Sequence, residues 1–243
     1  MAESRVVMRI RILQHVPFED AGNLEPWLRA HGHQLAWTRF YAGEALPGPE
    51  TVDAAVVMGG PMSVHDTARY PWLADEHRWL ERLVADGKGV LGVCLGAQQL
   101  ALVLGGTVGP NPEREIGWFP VTLDPAAAED PLLAGLPARF EAFHWHGETF
   151  TLPPGARPFG RSVATRLQGF VWGRGVVGVQ FHLEVTPEGV ARLIDHSPGD
   201  LAPGPYVQHP AAMLADRRRF RALTQTLDRL LAAVSARWVE QGS

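Results

Sequence analysis

The only cysteine of the chain, Cys94, lies between two glycines in the segment Gly92-Val93-Cys94-Leu95-Gly96. An apolar run typical of a buried strand precedes it, and a helix-like run follows it. Glycines on both sides of a residue permit a sharp strand-to-helix turn, which lifts the side chain clear and aims it at the first amides of the helix. A helix N-terminus stabilises negative charge there. The spacing predicts a cysteine nucleophile, and the alternative for this residue alone is a buried structural thiol.

A nucleophilic thiol needs a base to take its proton, and the segment Gln180-Phe181-His182-Leu183-Glu184 offers one. Residues two apart in an extended segment point the same way, so His182 and Glu184 are predicted to project from one side. We expect them at the carboxyl edge of the sheet, where the sites of such folds form. Glu184 would orient the imidazole of His182. Taken alone, the two residues could equally be a surface pair.

A second glycine turn, Met58-Gly59-Gly60-Pro61-Met62-Ser63, follows a short apolar strand. Glycines let backbone amides approach a substrate closely, so the N–H groups of Gly60 and Leu95 are predicted to form an oxyanion hole. Gly59 is expected to contact the substrate. A turn with a purely structural role would have the same sequence.

The first hundred residues alternate between strand-like and helix-like segments, which is typical of a parallel sheet. We therefore expect a flavodoxin-like, doubly wound α/β sheet that is mostly parallel. The predicted strands cover residues 6–13, 33–40, 54–58 and 89–93, and the predicted helices cover residues 23–31, 75–86 and 95–104.

Beyond residue 108 the pattern changes to short strand-like pieces separated by proline and glycine. These pieces are predicted to be antiparallel and appended to the main sheet. They cover residues 118–123, 140–145, 161–164, 169–172 and 176–180. The segment Gly173-Arg174-Gly175-Val176-Val177-Gly178 spells a dinucleotide-binding pattern, but it lies between two predicted strands, so we interpret it as a hairpin turn.

The remaining chain is predicted to contain a helix from residue 186 to about 194, a loop over 197–210 and an amphipathic helix over 220–238. Residues 1–243 are expected to form one domain, with a core over about 5–195 and a helical extension over about 205–240. Whether the last helix packs on this domain or on a second subunit is left open by its pattern.

Composition is ordinary for a globular protein, with 46% hydrophobic residues, 20% charged residues and a formal net charge of −4. This balance predicts no nucleic-acid partner. A single cysteine excludes an intramolecular disulfide and fits a reducing compartment. Arginines interrupt the first apolar run, so no secretion signal is expected, and no run approaches membrane-spanning length. We expect a cytoplasmic protein with no membrane partner.

Three motifs taken together resemble those of the class I (triad) glutamine amidotransferases in order and spacing. They are Met-Gly-Gly-Pro-Met-Ser-Val, Gly-Val-Cys-Leu-Gly-Ala-Gln and Gln-Phe-His-Leu-Glu-Val, and the resemblance covers most of residues 5–195. The segments Glu115-Ile116-Gly117-Trp118 and His144-Trp145-His146-Gly147-Glu148 resemble most the free-standing members that are similar to the amidotransferase domain of GMP synthase. One departure is Leu183, where the family usually has proline.

The resemblance implies that Cys94 is the nucleophile, His182 the base and Glu184 its orienting group. It also implies that Gln98 and the stretch around His146 contact the amino-acid end of a bound glutamine. The expected reaction is hydrolysis of the side-chain amide of L-glutamine through a γ-glutamyl thioester, without a cofactor. Because the sequence contains no nucleotide-activating loop, the ammonia is expected to pass to a separate synthase partner or to a small acceptor.

Three other hypotheses compete with this one. A γ-glutamyl peptidase or hydrolase would use the same chemistry, and tryptophans such as Trp118, Trp145 and Trp172 could shape a pocket for its larger leaving group. A non-catalytic regulatory module would be indicated by loss of a triad residue, and none is lost.

Metal binding by His144 and His146, with His182 nearby, fits the spacing, but the sequence indicates no cysteine or carboxylate to complete the set. A wall of the substrate pocket is therefore expected there, and no metal site.

Overall fold

The computed structural model describes residues 6–133 and 135–242, without the side chains of residues 128, 241 and 242. The predicted domain and core boundaries at residues 1 and 5 lie outside this part of the chain. In chain order the strands are β1 (Arg9–Gln14), β2 (Gln34–Arg39), β3 (Ala54–Val57), β4 (Gly89–Val93), β5 (Val108–Leu123), β6 (Arg139–Phe150), β7 (Arg157–Pro158), β8 (Gly160–Arg161), β9 (Gly169–Trp172) and β10 (Val176–Val179). The α-helices are α1 (Leu24–Ala30), α2 (Trp72–Ala85), α3 (Leu95–Val103), α4 (Pro187–His196), α5 (Pro210–Leu214) and α6 (Arg217–Gly242).

Seven strands form the main sheet in the order β2-β1-β3-β4-β10-β9-β7. The five strands from β2 to β10 are parallel to one another, and β9 and β7 continue the sheet in antiparallel pairs. Every residue of β3 and β4 is buried, as expected for parallel strands covered on both faces. The predicted mostly parallel α/β fold is therefore confirmed.

Helices cover both faces of this sheet because successive strand residues point to opposite sides. Ile10 and Ile12 belong to a core that contains residues of α1 and α6. Leu13 instead belongs to a second core that contains residues of α2 and α3. The closing helix packs on this chain, since Trp238 Nε1 donates a hydrogen bond to the Gly175 carbonyl at 2.8 Å and its ring covers Gly89. No helix among the described residues is long and apolar enough to cross a membrane.

The predicted arrangement of the later strands needs correction. The two longest, β5 and β6, leave the main sheet and form a separate antiparallel sheet in the order β6-β5-β8. Residues 176–180 were expected to be only antiparallel, whereas β10 pairs in parallel with β4 as well as antiparallel with β9. Its position inside the main sheet explains why all four residues are buried. The hairpin turn between β9 and β10 is confirmed, and Gly173 takes φ 57° there.

Several predicted boundaries also shift. The helix expected from residue 75 begins at Trp72, because Leu73 already belongs to its buried stripe. The strand expected over 161–164 is only β8, and β5 begins at Val108 instead of residue 118. The predicted loop over 197–210 contains a short 3-10 helix, Pro198–Leu201, and Val207 forms an isolated bridge with Ile116.

Candidate active site

Cys94 occupies the turn between β4 and α3 with φ 52° and ψ −107°. Among the described residues it is the only non-glycine with positive φ, a conformation that L-residues adopt at a cost. The flanking glycines make this turn possible. A Cβ at Gly92 would lie 2.5 Å from the Gly96 carbonyl oxygen, and one at Gly96 would lie 2.8 Å from the Val57 carbonyl carbon. The Cys94 N–H donates to the Val179 carbonyl at 2.8 Å and so ties the turn to β10.

The sulfur of Cys94 has polar neighbours from two other elements. The Trp145 carbonyl oxygen lies 3.7 Å from Sγ, and the Gln180 side-chain amide nitrogen lies 3.6 Å from it. Only 6% of Cys94 is exposed, and the exposed part faces a cavity. The thiol is therefore held in a fixed polar environment with access from one side.

His182 and Glu184 form a buried pair just beyond the end of β10. His182 Nδ1 lies 2.6 Å from Glu184 Oε1, and both side chains are almost fully buried. Burial by itself lowers the pKa of His182, but the charges and hydrogen bonds of Glu184 and Cys94 outweigh burial and raise this pKa well above its usual value. The predicted triad residues are thus brought together, and Glu184 favours the protonated form of the imidazole.

The predicted oxyanion-hole residues also meet. Leu95 is the first residue of α3, where the amide has no intrahelical partner. A Cβ at Gly60 would lie 3.0 Å from Leu95 Cδ2 and 3.1 Å from His15 Cβ, so Gly60 lies directly beside both residues. Gly60 lines the same cavity as Cys94.

His15 fixes the peptide that carries the Gly60 amide. Its Nδ1 lies 2.9 Å from the Gly59 carbonyl, which belongs to the same planar peptide unit as the Gly60 N–H. Its Nε2 lies 3.0 Å from Glu76, and both side chains are fully buried. Burial lowers the pKa of His15, but Glu76 and the Gly59 carbonyl outweigh burial and raise this pKa. A protonated His15 donates from both nitrogens and holds the Gly59–Gly60 peptide in one orientation.

The cavity in front of Cys94 has a volume of about 420 Å³. Gln98 and His146, both predicted to contact substrate, line it, whereas Gly59 lines an adjoining pocket together with His182. Carboxylates dominate the charged groups of the wall, with Arg114 as the one arginine. The acidic residues are Glu19, Asp66, Glu148 and Asp200.

Glu19 lies between the cavity and the His182–Glu184 pair. It lines both pockets, and a Cβ built on Gly59 would clash with its carboxylate and lie 3.2 Å from His182 Cε1. Burial raises the pKa of Glu19 to about 7, although the charges of His182 and His15 act in the opposite direction. A half-buried carboxyl group with a pKa raised to about 7 therefore lies beside the imidazole.

We expect Glu19→Gln to stabilise the protein at alkaline pH only. A carboxyl group whose pKa is raised in the folded state contributes stability below its unfolded pKa, near 4.5, and this contribution is lost as the pH rises through about 7. The substitution removes the ionised form, so the free energy of unfolding at pH 8 should exceed that of wild type by about 1–3 kcal/mol. Urea unfolding at pH 4 and pH 8 measures the difference. The exposed Glu81→Gln should show no such pH dependence, and equal curves for the two variants would contradict the assignment.

Sequence reasoning missed His15, Glu19 and Glu115. The first two follow the carboxyl end of β1, and a polar residue just after a parallel strand is the signal that could have found them. Glu115 lies opposite His146 in the β5–β6 register and contacts both predicted histidines. The expectation that no carboxylate joins His144 and His146 is therefore wrong, because β5 begins ten residues earlier than predicted and carries Glu115 into the sheet.

A parallel α/β sheet with a cysteine at a strand-to-helix turn and a histidine–glutamate pair at the same edge defines the class of fold and site. The model of the class-I glutamine amidotransferase family matches residues 23–194, and the chain belongs to this family.

Individual relatives agree with this assignment. The glutamine amidotransferase-like protein YfeJ of Salmonella typhimurium is 36% identical over 200 residues, which cover 80% of this chain and 83% of that protein. A glutamine-hydrolysing GMP synthase subunit from Ignicoccus hospitalis is 38% identical over 158 residues, 63% of this chain and 77% of that protein. The crystal structure of a glutamine amidotransferase from Methylobacillus flagellatus superposes with a TM-score of 0.88 at 29% identity and covers 95% of each chain.

Proposed function

We propose that the protein hydrolyses the side-chain amide of L-glutamine with Cys94 as nucleophile, His182 as proton carrier and Glu184 as the group that orients His182. The observation that carries this proposal is the strained Cys94, presented at the start of α3 to a cavity and coupled to the buried His182–Glu184 pair. Family membership supports the same reaction.

The proposed reaction has two halves. In the first, the Cys94 thiolate attacks the amide carbon, a C–S bond forms, and the oxyanion accepts hydrogen bonds from the amides of Gly60 and Leu95. Protonated His182 gives its proton to the amide nitrogen, the C–N bond breaks and ammonia leaves. In the second half, His182 takes a proton from water, the hydroxide adds to the thioester, and the C–S bond breaks to release glutamate and the thiolate.

The cavity wall suits the charged end of an amino acid. Gln98 lies where it could contact it, the ring of His146 would form part of the wall beside it, and Gly59 would shape the backbone beside His182. The surplus of carboxylates matches an α-ammonium group, and Arg114 matches an α-carboxylate. We therefore place the amino-acid end of the substrate towards Arg114 and Glu148.

The acceptor of the ammonia would be a separate synthase or a small molecule in the cytoplasm. The relative from Ignicoccus hospitalis is named as one subunit of a GMP synthase, which supports a division of labour between two chains.

A γ-glutamyl peptidase is the second candidate. The cavity of about 420 Å³ is within the range of roughly 300–1,000 Å³ typical of sites for small molecules larger than an amino acid. It extends from Cys94 to Pro110 and Ser197, which leaves room for a leaving group larger than ammonia.

Glutamate release from L-glutamine and from γ-glutamyl dipeptides, by wild type and Cys94→Ala, tests both candidates. We expect wild type to turn over glutamine, with an adduct on Cys94 detectable by mass spectrometry, and the variant to lose at least about 10⁴-fold in kcat. Circular dichroism shows whether the variant is folded. Turnover of the dipeptides alone would favour the peptidase, and no turnover or adduct with either substrate would contradict both.

A further inference from the structure

Three buried side chains with metal-ligating atoms converge between β5 and β6. The ligand atoms of Glu115, His144 and His146 all lie within 4.8 Å of one another. The exposed fractions of these residues are 0%, 0% and 5%. Strand register produces the cluster, because Glu115 lies opposite His146 and Gly117 lies opposite His144.

The outer nitrogens of both histidines face backbone carbonyls. His144 Nε2 lies 3.3 Å from the Phe119 carbonyl, and His146 Nδ1 lies 3.0 Å from the Glu148 carbonyl. A carbonyl only accepts hydrogen bonds, so each of these nitrogens carries the hydrogen. In the neutral rings, His144 Nδ1 and His146 Nε2 therefore present lone pairs to the centre of the cluster.

The atoms that face the centre of the cluster are all hydrogen-bond acceptors. His144 Nδ1 lies 3.5 Å and His146 Nε2 lies 3.3 Å from Glu115 Oε2. Within the described part of the chain, neither nitrogen has a hydrogen-bond partner, and Glu115 Oε1 has none either. Glu115 Oε2 instead accepts from Thr165 Oγ1 at 2.8 Å and Gln168 Nε2 at 2.7 Å. Neutral hydrogen-bond donors thus hold the Glu115 carboxylate in place, and the lone pairs of the two histidine nitrogens point towards it.

These distances fit a bound transition metal. Ligands about 2.0–2.1 Å from a tetrahedral zinc ion are separated from one another by about 3.3 Å, close to both oxygen–nitrogen distances in the cluster. Histidines that donate their outer N–H to carbonyls, and a carboxylate held by further hydrogen bonds, are typical of the groups that orient metal ligands. Two imidazoles and one carboxylate suit Zn²⁺ among the divalent ions.

We propose that Glu115, His144 and His146 bind one Zn²⁺ ion and leave its fourth position to water or a small anion. The ion would join β5 to β6 at the residue that precedes Gly147 and Glu148 in the cavity wall. It would therefore hold this wall in a fixed position beside the catalytic cavity.

Zinc titration of the chelator-treated full chain tests the proposal. The Cys94→Ala background is used because a thiol beside an imidazole can itself bind zinc. We expect one ion per chain by calorimetry and elemental analysis, with affinity at least about 100-fold weaker in Glu115→Gln and His144→Gln. Exposed His65→Gln should bind as the background does. Binding that is unaffected by the first two substitutions, or no binding at all, would overturn the proposal.

Nitrogen NMR of the imidazoles, in the same Cys94→Ala background without further substitution, keeps the test valid if those variants do not fold. Added Zn²⁺ should shift His144 Nδ1 and His146 Nε2, while Nε2 of His144 and Nδ1 of His146 keep their hydrogens. A His146 that carries hydrogens on both nitrogens and does not respond to zinc would instead show that a proton occupies the cluster, and would overturn the proposal.

Discussion

Glu184→Gln is expected to lower kcat for amide hydrolysis by about 10²–10⁴-fold while the protein stays folded. The glutamine side chain has the same size, but it cannot accept a charged hydrogen bond from His182 as a carboxylate does over 2.6 Å. It can also turn its NH₂ group towards the ring and select the wrong tautomer. The loss should appear in kcat more than in KM, because Glu184 contacts His182 and lies away from the main cavity.

The pH profile gives this prediction a second readout. Glu184 is a main cause of the raised pKa of His182, so its removal lowers that pKa. In the proposed mechanism protonated His182 is the proton donor, so the alkaline limb of kcat/KM should move to lower pH in the variant. Rates measured from pH 5 to 10 for wild type, Glu184→Gln and the exposed control Glu188→Gln locate the limb. An unchanged limb together with an unchanged kcat would refute the assigned role of Glu184.

Gly96→Ala is expected to lower the free energy of unfolding by about 3 kcal/mol or more. The added methyl group, which is fixed rigidly to the backbone of α3, would overlap the Val57 carbonyl, and a backbone carbonyl cannot move aside as a side-chain tip can. This overlap can be removed only if α3 moves away from β3. That movement would separate Leu95 from Gly60 and open the predicted oxyanion hole.

Gly109→Ala is the matched control for this substitution. A Cβ at Gly109 would meet no atom within 4 Å, so its effect should be close to zero. Urea unfolding of both variants, with glutamate release measured below the transition, compares them directly. Equal stability of the two variants would show that the close approach at Gly96 does not limit the fold.

Features that depend on nearby residues were predicted well from the sequence. The elbow at Cys94 needs only the glycines two positions to each side, and the parallel strands follow from short apolar runs such as β3 and β4. The family was also recognised correctly from the three motifs. The position of β10 was not predicted, because pairing with β4 joins segments more than eighty residues apart and leaves no local pattern.

The less predictable parts of the site depend on such distant contacts. Glu115 reaches His146 through the register of β5, whose pattern is interrupted by Pro110 and Pro112 and by an irregularity between Pro110 and Glu115. His15 meets Glu76 across two elements. Neither partner can be identified by spacing, since a buried polar residue signals that it needs a partner but does not indicate which one.

The backbone conformation of Cys94 implies that stability and activity favour different residues at this position. Glycine adopts φ 52° without the steric penalty that any side chain incurs, so the residue at this turn that best resists unfolding is one without a nucleophile. Mutant libraries screened only for heat resistance would be expected to accumulate glycine at position 94 and lose the sulfur. Natural selection for stability alone would have the same result, so a cysteine at this position agrees with the proposed role of Cys94 as the nucleophile.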